Sequence, residues 1–210
     1  MKFKRPVTPA EMSRALTALC EDIVPGATPL YIDVHPLSGA PADECFSLVS
    51  SQVATNGGDL VVGWILWELP TLFVEAEFHA VWRSPAGKFI DIAPKKSPTR
   101  RILFLEDPLR RYEGRQVNNV RRATSQDPVV VEYLTAFDSQ FELLNRGERA
   151  HRHGEIHLEG SEAAEFNAIQ KKLVLLQLRI DSHLPSFGPY SPCWCGSGKK
   201  VKWCHRDQAV

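Results

Sequence analysis

The chain has no excess of either charge. Its 25 Lys and Arg residues balance 25 Asp and Glu, so no global field draws it to nucleic acid or to a membrane surface, and only local patches can argue for either. No apolar run approaches 18 residues, and no membrane-spanning helix is expected. The opening stretch, MKFKRPVTPAEMSRAL, has basic residues with no apolar segment behind them and does not read as a signal peptide. A cytoplasmic location with reduced thiols is the expectation. Cysteine is scarce and odd in number, five among 210 residues, which argues against a disulfide framework. What is present is an ordinary globular composition, 43% hydrophobic and 24% charged. That is material for one domain with a small appendage, or for two modest domains.

Local signals divide the chain further. Thr8–Glu11 reads as a capping box with Pro9 at the first helical position. Met12, Ala15, Leu16, Leu19 and Ile23 follow at helical spacing, and Pro25-Gly26 stops the helix. Cys20 lies near this stripe and reads as a small buried hydrophobe. ADECFSLVSSQVAT, from Ala42, predicts a second helix with Cys45 in its first turns. Three strand-like runs follow, at Leu60–Leu66, Phe73–Trp82 and Lys88–Ile92, with SPAG (Ser84–Gly87) as the turn between the last two. Residues 100–122 hold seven arginines against three acids. They read as a solvated connector, with a phosphate-facing surface for RNA as the sharper alternative. Asp127-Pro128 starts a third helix, with Val130, Leu134, Phe137, Phe141 and Leu144 on one face. A long helix opens at Ser161, with Phe166, Ile169, Leu173, Leu176 and Ile180 three and four apart. The two helices should pack as a hairpin. His151, His153 and His157 lie in the polar stretch between them and read as solvated rather than metal-binding.

Three of the five cysteines are crowded into PCWCGSGKKVKWCH, residues 192–205. Three thiolates and an imidazole suit zinc. The spacing alone is only suggestive, because the pairs are Cys-x-Cys and an adjacent Cys-His. The stretch resembles the SEC-C motif, the zinc tail of the bacterial translocase motor ATPase. Pro192, Cys193, Cys195, Gly196, Ser197, Gly198, Lys199, Lys200, Lys202, Cys204 and His205 match its pattern, and Trp194 replaces a proline. The resemblance implies a structural Zn²⁺ held by Cys193, Cys195, Cys204 and His205. Three thiolates with Zn²⁺ sum to −1, while Lys199, Lys200, Lys202 and Arg206 add four positive charges. The tail is thus a basic knob flanked by Trp194 and Trp203. In the resembled family such tails engage acidic protein surfaces or the ribosome.

A second constellation lies in the middle of the chain. Cys45 stands near a helix N-terminus, where the dipole favours thiolate. In FVEAEFHAVW, strand alternation puts His79 on the face of Glu75, Glu77 and Val81. If SPAG forms a three-residue loop with a G1 bulge, Ser84 pairs with Lys88. Asp91 then falls opposite Val81, diagonal to His79 and on its face. A two-residue loop would separate them. The set would be a nucleophile, a base and an orienter. The bland alternative is a core thiol, a satisfied sheet histidine and a strand-end cap.

EFHAVWRSPAGKFIDIAP is similar to the histidine–aspartate segment of the transglutaminase-like branch of the papain-like superfamily, with His79, Trp82, Asp91 and Pro94 in its places. GGDLVVGW resembles the stretch leading into that family's first core strand. The resemblance implies an α+β fold with an antiparallel sheet over residues 1–125; the helical spacing adds a hairpin over 126–187, and the SEC-C resemblance a zinc tail over 188–210. The transglutaminase-like resemblance implies a catalytic Cys45, His79 and Asp91 and a cysteine-dependent acyl transfer: amide or isopeptide hydrolysis, deamidation or amide exchange. The rival reading is a non-catalytic zinc-binding adaptor that binds protein or ribosomal RNA.

Overall fold

The computed structural model describes residues 5–42, 44–95, 99–152, 156–183, 189–191, 193 and 199–204, without the side chains of His183 and Cys204. The fold is α+β. Five strands close into a barrel: β1 (Leu30–Val34), β2 (Asp59–Leu69), β3 (Phe73–Arg83), β4 (Phe89–Asp91) and β5 (Arg101–Glu106). The order around it is β2-β5-β1-β4-β3, and β3 pairs back to β2. A sixth strand, β6 (Val120–Ala123), adds to the edge of β3 at Phe73–Ala76. The expected antiparallel sheet is therefore corrected in one respect: β1 and β4 pair in parallel.

The expected strands are three of six. The arginine-rich connector is corrected most. Its RILFLE segment is β5, and Ile102, Leu103, Phe104 and Leu105 are fully buried. β1 was hidden by its brevity and by its partners, which lie far away in sequence. The β2–β3 hairpin pairs in full from Asp59↔Arg83 to Leu69↔Phe73.

Alternation on the closed barrel sorts the core into faces. Ile32, Val61, Ile65, Val81, Ile102 and Phe104 come from four strands and form one cluster, the barrel interior. Gly63 lies in this layer because the Phe104 ring and the Leu105 carbonyl occupy the space of a Cβ, 2.6 and 2.2 Å away. Trp64, Leu66, Val74, Ala76 and Phe78 face outward against Leu16, Leu19 and Cys20. These last three belong to α1 (Arg14–Ile23). The helix begins later than Thr8–Glu11 suggests, with Ser13 as its cap. Tertiary pairing takes the earlier residues instead: Val7 bridges to Glu68, and Thr8 Oγ1 donates to the Arg101 carbonyl.

α2 (Cys45–Asn56) packs Val49 onto Ala80, Ile92 and Ala93. α3 (Pro128–Leu144) starts where expected, with Asp127 accepting from the Val129 amide and Pro128 at the first turn. α4 (Gly160–His183) packs against it through Leu173, Leu176 and Ile180. Both helices share that cluster with Leu69, Leu72 and Phe73 at the β2–β3 turn. His151 and His157 are exposed, and His153 lies outside the described residues. Among the described residues no helix is long and apolar enough to cross a membrane.

Candidate functional site

The β3–β4 turn decides the site. Ser84 N donates to Lys88 O at 2.9 Å, Gly87 N to Ser84 O at 2.8 Å, and Gly87 has φ 79°. This is the three-residue loop with glycine in the left-handed position. The pairs Trp82↔Ile90 and Arg83↔Phe89 follow. The register sets Asp91 diagonal to His79, and the two meet, His79 Nε2 to Asp91 Oδ1, at 3.1 Å. Both are buried, at 3% and 0% exposure. Oδ1 also accepts the Ala93 amide at 3.1 Å.

Cys45 is the first residue of α2, later in the helix's onset than the Ala42 start expected from sequence. Among the described residues no side-chain hydrogen bond caps this helix at Glu44, and the positive end of its dipole lies at Cys45. Cys45 lies near enough to His79 to favour its charged form, and both line the same cavity. With Nε2 given to Asp91, Nδ1 is the ring nitrogen left for sulfur. The three residues named from the sequence are thus brought together, in the order Cys45, His79, Asp91.

The electrostatics follow from these contacts. Burial and the Lys95 ammonium both oppose protonation of His79, but Cys45 and Asp91 outweigh them and push its pKa up from 6.5 to about 9. Burial would raise Asp91, yet hydrogen bonding and charge from His79 and Lys95 hold it below the usual carboxylate value. Cys20, by contrast, is pushed up to about 11 by burial. It keeps its proton and is a core thiol, as its place on the α1 stripe suggests.

Lys95 is the member that sequence reasoning missed. Its Nζ lies 2.6 Å from Asp91 Oδ2 and 3.2 Å from His79 Nε2. The only signal was the spacing of four from Asp91, which says little once the strand has ended.

A cavity of about 1070 Å³ opens on this set, lined by Cys45, His79 and Lys95 and by Phe46, Phe78 and Tyr112. It reaches both faces of β3, since neighbours Phe78 and His79 both line it. The pairing explains how. β2 covers one edge of β3 throughout, while β4 covers the other only at Trp82 and Arg83, and β6 only at Phe73–Ala76. Between them the barrel wall is open beside His79. Phe46 stacks on Tyr112 at 3.9 Å and forms an aromatic wall next to the thiol.

The arginine segment divides. Arg121 pairs with Glu75 at 2.9 Å and Asp138 at 3.1 Å and is 11% exposed, and Arg122 pairs with Asp22. Arg111 and Arg115 are exposed on the cavity rim.

Of the zinc ligands expected from sequence, only Cys193 is fully described. The side chain of Cys204 and all of Cys195 and His205 lie outside the described residues. Cys193 is buried. Its amide donates to Lys199 O at 2.7 Å, and Val201 N donates to Ser191 O at 3.0 Å. These bonds set Ser191 and Cys193 beside Lys199 and the start of α5 (Val201–Cys204), which carries Cys204. Lys200 and Lys202 lie over the exposed rings of Tyr190 and Trp203.

Family models, curated proteins and solved structures were each compared with the chain, and none matches it.

Proposed function

We propose that the chain is a cysteine-dependent acyl-transfer enzyme of the transglutaminase-like, papain-like kind, carrying a SEC-C zinc tail. The observation that carries this reading is that Cys45 and His79 line one open cavity, with Asp91 bonded to His79 behind it. A cysteine at a helix start, with histidine and aspartate on paired strands, is also the arrangement that the resemblance in EFHAVWRSPAGKFIDIAP implies.

In the reaction, Cys45 sulfur attacks the carbonyl carbon of an amide. The carbonyl oxygen takes the electron pair, facing the amides at the start of α2. Collapse expels the amine, which receives its proton from the His79 imidazolium, and leaves a thioester on Cys45. Water or a second amine then attacks the thioester. His79 takes the proton of that nucleophile, and the thiolate departs to restore the starting pair. Asp91 holds the ring through Nε2 and stabilises its charged form. The cavity admits a substrate that spans the gap between β4 and β6.

The tail fits a structural metal. It closes on a buried Cys193 beside the segment bearing Cys204, and so short a segment has little core of its own. Cys193, Cys195, Cys204 and His205 would hold Zn²⁺, which supplies folding energy and leaves no open position for chemistry. Lys200 and Lys202, with Tyr190 and Trp203 exposed beside them, favour a second role as a docking knob for an acidic protein surface or the ribosome. On the adaptor reading this knob and the arginine segment together are the whole function.

Labelling with an iodoacetamide probe separates the two. Cys45 is expected to label first, and His79→Ala to slow it by about 10²-fold or more at neutral pH. A Cys45 that labels no faster than Cys20, at rates indifferent to His79, leaves the adaptor.

A further inference from the structure

His79 is faced from every side by groups that can hold charge. Cys45 comes from α2, Asp91 from β4 and Lys95 from the loop after it. Glu75 and Glu77 share its face of β3. Glu106 of β5 lies in the same row across Gly63, since Gly63 pairs with both His79 and Glu106. Glu44 and Tyr112 lie beside Cys45. Only two of these approach Nε2: Asp91, which accepts from Nε2–H, and the Lys95 ammonium, a cation 3.2 Å away.

A lysine in this position needs an account. An ammonium next to an imidazolium is repulsive. Its partners resolve the conflict. Lys95 makes its shorter contact with Asp91 Oδ2, at 2.6 Å, and has only 13% of its side chain exposed. Oδ2 is thereby engaged, and Oδ1 is left for the Ala93 amide and Nε2–H together. Turning the carboxylate would break the two hydrogen bonds at Oδ1 and pull the ion-paired Oδ2, which makes no hydrogen bond of its own, away from Lys95. Its negative charge is also shared between two cations, so less of it acts on the ring.

We propose that Lys95 is a positioning residue of this site: it clamps Asp91 so that the carboxylate presents one oxygen to His79 Nε2, and it limits how tightly the imidazole holds its proton. The proposal builds on the acyl-transfer reading for its catalytic meaning, because a proton held too firmly could not pass to a leaving amine. Lys95 opposes the protonation of His79, second only to burial, in the same direction. Mutating Lys95 therefore acts on the histidine, not on sulfur directly.

The test uses the full-length protein and the imidazole resonances of His79, assigned with His79→Gln. In Lys95→Met the titration midpoint of His79 is expected to rise by about one unit. The alkaline limb of Cys45 alkylation should move with it. Lys95→Arg, which keeps the cation, is expected to return the midpoint to the wild-type value. Should Lys95→Met fail to fold, Lys95→Gln carries the same expectation. A midpoint unmoved in a folded, charge-removing variant overturns the proposal. So does a full shift in Lys95→Arg, because shape and not charge would then be responsible. The midpoint is read on the ring itself. A moving midpoint with an unreactive Cys45 would therefore uphold the clamp while removing the enzyme, and the two ideas fail separately.

Discussion

The barrel site and the tail make opposite use of sequence. Cys45, His79 and Asp91 are 46 residues apart from first to last, by their numbers, and no local pattern joins them. They meet because a helix packs on a barrel and a turn sets a register. In the tail, the four candidate ligands fall within 13 residues. Geometry there is local, and backbone bonds from Cys193 to Lys199 and from Val201 to Ser191 join its described residues. One region spends tertiary packing to position a few side chains. The other, on the zinc reading, would use a metal in place of packing. The difference should appear as separate failure: what breaks one should leave the other standing.

The largest expected effect tests that separation. Purified protein should hold one Zn²⁺, with Zn–S near about 2.3 Å. Cys195→Ser should lose the metal altogether. A deletion of residues 188–210 should nevertheless keep its circular dichroism and cooperative melting. No described tail residue belongs to the barrel interior or the α3–α4 cluster. Global unfolding on chelation would show that the tail belongs to the core, and reduced protein without metal would remove the zinc site.

The reverse experiment breaks the barrel and spares the tail. In Gly63→Ala, the new methyl meets the Leu105 carbonyl at 2.2 Å and the Phe104 ring at 2.6 Å. Backbone cannot move aside as a flexible side chain would. A loss of about 1–3 kcal/mol is expected from overpacking, read as a lower denaturation midpoint. Gly63 pairs with His79, so Cys45 labelling should slow as well. Zinc content should be unchanged.

Next comes pH. His79 has a folded pKa raised from 6.5 to about 9. A raised pKa means that the folded state binds the proton more tightly. Its contribution to stability is complete below pH 6.5 and is lost as pH rises through about 9. Asp91 is shifted down, so its contribution is present above the usual carboxylate pKa and is lost in acid. The melting temperature should therefore fall between pH 6.5 and 9, and His79→Gln should flatten that limb. Tail titrations cannot mimic this, since the deletion of residues 188–210 should show the same curve. A wild-type curve level across that range would disprove the charged pair.

Much of the site was legible and much of the barrel was not, for one reason. Turn chemistry is local: SPAG specifies its loop, the loop specifies Ser84 opposite Lys88, and Asp91 follows. Asp127-Pro128 and the α4 stripe are local in the same sense. β1 and β5 are short runs whose evidence lies in partners far along the chain, Leu30 with Phe104 and Gly63 with Glu106. Arginines on both sides of RILFLE hid its apolar centre. Lys95 gave no signal because its meaning depends on where Asp91 points.

The smallest expected effect comes from the arginines themselves, and it sharpens the contrast between built and surface charge. Arg121 and Arg122 close the arginine segment but do not form a phosphate-facing surface, since both are ion-paired. Arg121 is instead held by Glu75, whose carboxyl is pushed up by burial and drawn back by Arg121 and Asn119. Arg121→Ala would strand that carboxyl, so its cost should be one of folding. Any loss of RNA binding in that variant would be uninformative. Arg111 and Arg115 are exposed, with no ion pair among the described residues. Their change to glutamine should alter stability by no more than about 0.5 kcal/mol. If the segment contacts RNA or the ribosome, association in that double variant should weaken and its salt dependence should become shallower. If association is unchanged, the contact, where there is one, belongs to the tail. A tail deletion that abolishes it, beside an Arg111→Gln/Arg115→Gln variant that does not, would assign docking to one region and chemistry to the other.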